Sequence, residues 1–256
     1  MPIVRTTLWA LAAGATIYAA VCVVLFVVQR SLLYFPQPSA VNSPGSTLML
    51  GVPGADLQLS VNAQPGSKAL LYFGGNAEDV SLSLAAFSAA FPDRALYLMH
   101  YRGYGNSTGK PTEAGIHGDA LALFDFVQRS HADIAVIGRS LGTGVAVRLA
   151  AERPVSRLIL VTPYDSIERL AARQFPFFPI KLLLIDKLES WRFAPVIRAP
   201  TLLLAAANDE VIPLESTQRL YARFAPGMAT LLIVDHASHN TISDGAQYLV
   251  TIRDAL

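Results

Sequence analysis

One cysteine, Cys22, stands in a chain of 256 residues. No disulfide can form within the chain, and cysteine usage says nothing about its redox compartment. Charge is scarce too: Asp, Glu, Lys and Arg make up 15% of the residues and the formal net charge is +1. That balance leaves no basic patch for nucleic acid and no acidic tail. Zinc-type spacing of His, Cys and Asp is missing, as is H-E-x-x-H, so the sequence asks for no metal or other cofactor. Gly103 to Lys110 resembles a phosphate loop only at its end. A Walker A pattern needs glycine at 104, which is Tyr104, and Ser or Thr at 111, which is Pro111. Internal repeats and low-complexity tracts are also lacking.

What the chain does have is a long apolar run near its start. Leu8 to Val28 is 21 residues without a charge, interrupted mildly by Thr16 and Tyr18. As a helix rising 1.5 Å per residue it is long enough for a hydrocarbon core of about 30 Å. Arg5 and Arg30 bracket the run, with Trp9 and Tyr34 where interfacial aromatics belong. A cleaved signal peptide has an apolar core of about 7–15 residues and a small-residue cleavage site. Here the run ends Val27-Val28-Gln29-Arg30-Ser31-Leu32-Leu33, which predicts an uncleaved anchor over residues 1–30. One arginine on each side gives orientation little to count, and the N-terminal residues favour a cytoplasmic N-terminus. Pro36-Gln37-Pro38-Ser39 to Pro44-Gly45 reads as a linker between anchor and domain.

The remainder, 31–256, has the length of one well-buried domain. Strand-like runs cover Ala69–Phe73, Leu96–Met99, Ile134–Ile137, Leu158–Thr162, Thr201–Ala206 and Thr230–Val234. Between them lie helical patterns, one with Val80, Leu84, Phe87 and Phe91 on its core face, another with Ile116, Ala120, Phe124 and Val127. This alternation predicts an α/β fold with a mainly parallel central sheet flanked by helices. Thr47–Val52 and Leu57–Asn62 predict an antiparallel hairpin ahead of it.

Gly138-Arg139-Ser140-Leu141-Gly142 sits between the strand Ile134–Ile137 and a predicted helix, Thr143–Arg153. A serine at such a corner is a nucleophile elbow of G-x-S-x-G form, with glycines permitting the tight turn. Its partners follow in order. Asp209, with Glu210 as a rival, lies past the strand Thr201–Ala206, and His239, with His236 as a rival, lies past Thr230–Val234. Histidine would take the serine proton and the acid would hold the imidazole. The N–H of Leu141, and that of Asn76 in Gly74-Gly75-Asn76-Ala77, are candidate oxyanion donors. His100, His117 and His131 read as structural or solvent-facing.

These segments, with Tyr101 to Ser107 and Thr162 to Ser166, are together similar to membrane-anchored serine hydrolases of the α/β-hydrolase superfamily. The nearest likeness is to single-pass bacterial membrane hydrolases and eukaryotic relatives, some of them acyl-protein thioesterases. The resemblance covers about residues 30–245. It implies Ser140 as nucleophile, Asp209 as acid, His239 as base, and Asn76 with Leu141 as oxyanion donors. One departure is Gly74, where such proteins usually carry a histidine that braces the oxyanion loop. A small helical cap is expected at about 165–200, where Phe175 to Ile185, Trp191 and Phe193 suit an apolar acyl pocket or a membrane-facing lip. The implied activity is hydrolysis of carboxylic esters or thioesters of small-molecule, acylated or lipid-derived substrates. An acyl-protein thioesterase, a peptidase, and a non-catalytic membrane scaffold are the alternatives. The implied location is the bacterial inner membrane, with the catalytic domain on the periplasmic side.

Overall fold

A computed structural model of the chain describes residues 2–43, 45–245 and 247–256. Eight strands form one sheet: β1 (Thr47–Val52), β2 (Ala55–Asn62), β3 (Lys68–Phe73), β4 (Ala95–Met99), β5 (Asp133–Arg139), β6 (Arg157–Val161), β7 (Thr201–Ala206) and β8 (Ala229–Val234). The helices are α1 (Pro2–Leu33), α2 (Leu84–Ala90), α3 (Glu113–Val127), α4 (Leu141–Glu152), α5 (Ile167–Gln174), α6 (Ile180–Leu183), α7 (Ser190–Phe193), α8 (Leu214–Tyr221) and α9 (Gln247–Ala255).

The strands lie in the order β1-β2-β4-β3-β5-β6-β7-β8. β1 and β2 make the antiparallel hairpin, β2 runs antiparallel to β4, and the pairings from β4 through β8 are parallel. Helices cover both faces, which is why the central strands are continuous apolar runs rather than alternating ones. Along β3, Leu71 and Phe73 enter the core shared with α3 and α4, whereas Leu70 and Tyr72 enter the core shared with α2 and α9. Thr112 starts α3 by accepting the Gly115 N–H, and Ser166 starts α5 by accepting that of Arg169.

Strand order reverses at β3: the chain goes from β3 to β4 on one side and later to β5 on the other. The carboxyl ends of β3 and β5 therefore adjoin at a topological switch point, where open α/β sheets place their crevice. The Gly74–Asn76 loop leaves one of these ends and Ser140 leaves the other.

The N-terminal region departs from the sequence reading in three respects. Helix α1 runs on to Leu33, three residues past the end of the expected anchor. An 18-residue window within Ile3–Leu33 has a mean hydropathy of 2.5, and the stretch is long and apolar enough to cross a membrane. Tyr34 is not an interfacial aromatic. It is buried, 3% exposed, and donates to Asp186 at 3.3 Å, a carboxylate that Arg30 pairs at 2.9 Å. Its aromatic body fills the core and its hydroxyl needs a partner there. The proline-rich stretch is also stitched to the domain rather than free. The Phe35 N–H reaches Asn76 Oδ1 and Tyr104 Oη, each at 3.0 Å, and the N–H groups of Ala40 and Val41 reach Asp79 and Ser81. Pro44 of the same stretch lies outside the described residues.

Candidate active site

Ser140 sits between β5 and α4 with φ 48° and ψ −117°. Positive φ is costly for a residue with a Cβ, about 1–3 kcal/mol, and such strain concentrates at functional turns. The neighbouring glycines allow the corner to close. A Cβ on Gly138 would fall 2.6 Å from the Gly142 carbonyl oxygen, and one on Gly142 would overlap the carbonyls of Phe73 and Gly74. Helix α4 is thereby drawn against the end of β3.

The loops after β7 and β8 bring Asp209 and His239 to this corner. His239 Nδ1–H donates to Asp209, at 2.9 Å to Oδ2 and 3.0 Å to Oδ1. An ionised carboxylate only accepts, so the proton belongs on Nδ1 and the Nε2 lone pair is free. Ser140 Oγ–H donates to that Nε2 at 2.9 Å. The side chains of His239 and Asp209 are 9% and 3% exposed, so water competes little for either. Asp209 also organises its own turn, since Oδ1 accepts from the N–H groups of Val211 (2.9 Å) and Ile212 (2.7 Å). Of the rivals, Glu210 accepts the backbone N–H of His239 at 3.3 Å rather than its ring. His236 is exposed in a φ 60° conformation.

Leu141 opens α4, so its N–H has no carbonyl one turn back to bond, and the helix dipole adds positive potential there. The Gly75 backbone lies against the serine: a Cβ built on it would be 3.6 Å from Ser140 Cβ. Asn76 follows directly. Its side chain is taken up by other contacts, donating to the Leu33 carbonyl (2.7 Å) and accepting from Tyr104 Oη (2.8 Å) and the Phe35 N–H (3.0 Å).

The histidine lacking at position 74 is replaced by other braces. Glu78 accepts from the Gly75 N–H (2.6 Å) and from Tyr72 Oη (2.7 Å), and pairs with Arg139 at 3.3 Å. Tyr101 Oη donates to the Gly74 carbonyl at 2.8 Å. The segment Tyr101 to Tyr104 thus stiffens the loop through both tyrosines, while Arg102 anchors it to α3 through the buried Asp119 at 2.6 Å. Sequence reading missed Glu78; a lone carboxylate beside a loop of small residues was the available signal. It also missed Asp165, fully buried, which gathers Arg169 (2.6 Å), Arg219 (2.8 Å) and Ser216 (2.6 Å) and holds the start of the 165–200 segment.

His100, His117 and His131 are buried, which removes the solvent-facing reading. His100 meets Ser60 Oγ at 2.9 Å, His117 meets Glu152 at 3.0 Å, and His131 bridges Tyr97 Oη and the Gly66 carbonyl. Burial lowers the pKa of His100 from 6.5 to about 4 against the raising effect of Asp79, and burial also lowers that of His117.

No protein-family model matches the sequence. Individual relatives do. An uncharacterized protein of Mycobacterium tuberculosis is 33% identical over 248 residues, a match spanning 88% of this chain and 86% of that one. The alpha/beta hydrolase domain-containing protein aho-3 of Caenorhabditis elegans is 30% identical over 190 residues, spanning 72% of this chain and 56% of its own. Lysophosphatidylserine lipase ABHD12 of Xenopus tropicalis is 36% identical over 146 residues, spanning 49% of this chain and 37% of the lipase. Among solved structures, mouse alpha/beta hydrolase domain-containing protein 10 superposes with a TM-score of 0.66 at 16% identity, covering 82% of this chain and 96% of that one. An esterase of Pyrococcus furiosus gives 0.66 at 17%, covering 87% and 96%. The sheet order, the fold shared with the solved hydrolases and the relatives named as alpha/beta hydrolase proteins agree: the chain belongs to the α/β-hydrolase superfamily.

Proposed function

We propose that this hydrolase cleaves carboxylic ester or thioester bonds through an acyl-enzyme on Ser140, held at a membrane by α1. The observation that carries the reading is the unbroken relay from Asp209 through His239 to Ser140 Oγ, each contact at 2.9 Å. His239 accepts the serine proton as Oγ attacks the carbonyl carbon, and Asp209 stabilises the imidazolium that forms. The N–H groups of Leu141 and Asn76 meet the charge developing on the carbonyl oxygen. His239 then protonates the departing alcohol or thiol, and water, activated by the same imidazole, releases the acid. The names of the relatives, a lysophosphatidylserine lipase and an esterase among them, support acylated and lipid-derived substrates. In this reading residues 1–30 are the core of the anchor, 31–256 the catalytic domain and 165–200 its cap, set on the periplasmic side of a bacterial inner membrane.

Turnover of p-nitrophenyl esters and acyl thioesters by the full chain tests the proposal. Wild type hydrolyses them with a rate that depends on acyl length, and Ser140→Ala loses at least about 10³-fold in kcat. Indifference to acyl length with cleavage of amides would make it a peptidase; folded wild type without turnover of any of these would leave only a scaffold.

A further inference from the structure

One face of α1 is covered. Cys22, Leu25, Gln29 and Leu33 are partly buried in a helix that is otherwise mostly exposed. Their spacing continues back to Tyr18, whose ring stacks on Phe178 (centroids 5.9 Å apart, planes 3° apart). What covers this face is the segment from Phe175 to Ile185, around α6. Tyr18 precedes Arg30 by 12 residues, so the segment follows α1 for about 18 Å along its axis. With Arg30 and Asp186 at the membrane surface, its tip lies near the middle of a hydrocarbon core of about 30 Å.

Two observations fit that depth. Phe177 is 83% exposed and Leu182 82%, a degree of apolar exposure suited to lipid rather than water. The irregular backbone beside α6 is also satisfied by polar side chains of α1. Tyr18 Oη donates to the Phe177 carbonyl (2.9 Å), Gln29 Nε2 donates to that of Leu183 (3.1 Å), and Gln29 Oε1 accepts the Ile185 N–H (2.7 Å). In hydrocarbon, backbone polar groups must find partners within the protein. Lys181, the charge in this segment, has a stem long enough to carry its ammonium toward the headgroups.

Between α1 and this segment runs a groove of about 120 Å³, walled by Leu25, Leu33, Ile167, Phe175, Ile180 and Leu183 among others. Leu33 forms part of that wall, and its carbonyl takes the Asn76 side-chain donor at 2.7 Å, which ties the wall of the groove to the loop beside Ser140. We infer that residues 175–185 dip into the bilayer beside α1, and that the groove between them receives the acyl chain of a membrane lipid. The anchor is then one wall of the substrate site. This deepens the serine-hydrolase reading and rests on it only for turnover.

The test uses the full chain in phosphatidylcholine nanodiscs carrying lysophosphatidylcholine with a diazirine on its palmitoyl chain. With Ser140→Ala, which prevents turnover, photo-cross-links should map to Phe177 and Leu182 and be at least fivefold denser at Leu25 and Leu183 than at Val24 and Val27. They should fall in Ala171→Trp and in Leu25→Trp, which fill the groove from opposite sides. Even labelling around α1 would overturn the groove, and no labelling at Phe177 or Leu182 would overturn the dip. In an active background, the ratio of kcat/KM for p-nitrophenyl palmitate to that for the butyrate should drop at least tenfold in both variants. An unchanged ratio would contradict the inference while sparing the hydrolase. Cross-links at the groove in a chain that hydrolyses neither ester would do the reverse.

Discussion

Glu78 holds the Gly75 N–H, the Tyr72 hydroxyl and the guanidinium of Arg139 at once. Removing it strands a cation that is 19% exposed and frees the loop that carries Asn76. Glu78→Ala should therefore lose about 3 kcal/mol of stability in urea unfolding, and kcat should fall further than KM rises. His100 sets a pH dependence. Burial keeps it neutral when folded down to about 4, whereas its unfolded value is 6.5. Below 6.5 the unfolded chain binds a proton that the folded chain refuses, so stability is full above that pH and declines as pH falls toward 4. The loss approaches about 3 kcal/mol, and unfolding of His100→Asn compared with wild type at pH 7 and 4.5 should show it missing from the variant. The meeting of Ser140, Asp209 and His239 in one hydrogen-bonded row was legible because each stands in a short loop after its own apolar run, in a fixed chain order. Glu78 was not, because its partner Arg139 is 61 positions away and nothing local marks the pair.

At the level of elements, the strands and core helices were readable because apolar spacing is a local property. The seam between α1 and the domain was not. The Phe35 N–H meets acceptors 41 and 69 residues away, and Arg30 meets Asp186 across 156. Proline-rich composition spoke for a linker, and those long-range bonds overrode it. Asn76 is the hub of this seam. Asn76→Ala keeps the backbone N–H but leaves the Leu33 carbonyl without its side-chain donor, and should cost about 1–3 kcal/mol. It should also raise the rate of proteolysis within residues 34–43. Unchanged cleavage would mean that the seam is held by packing alone.

For the whole molecule, the reversal of strand order at β3 puts the loops of β3 and β5 side by side, and β7 and β8 bring Asp209 and His239 to the same edge. Strand alternation foretold a parallel sheet but not this order, which depends on which edge each crossover takes. The proposed periplasmic placement of the catalytic domain predicts that alkaline phosphatase fused after Leu256 is active in a bacterial host. Inactivity there, with a cytoplasmic reporter active at the same position, would reverse it. The most direct measurement concerns the serine itself. Full-length protein treated with a fluorophosphonate and digested for mass spectrometry should carry the adduct on the peptide containing Ser140. The adduct should be absent from Ser140→Ala and form at least about 10³-fold more slowly in His239→Ala. A folded protein that stays unmodified, or one modified at a different serine, would remove the basis for a Ser140 acyl-enzyme.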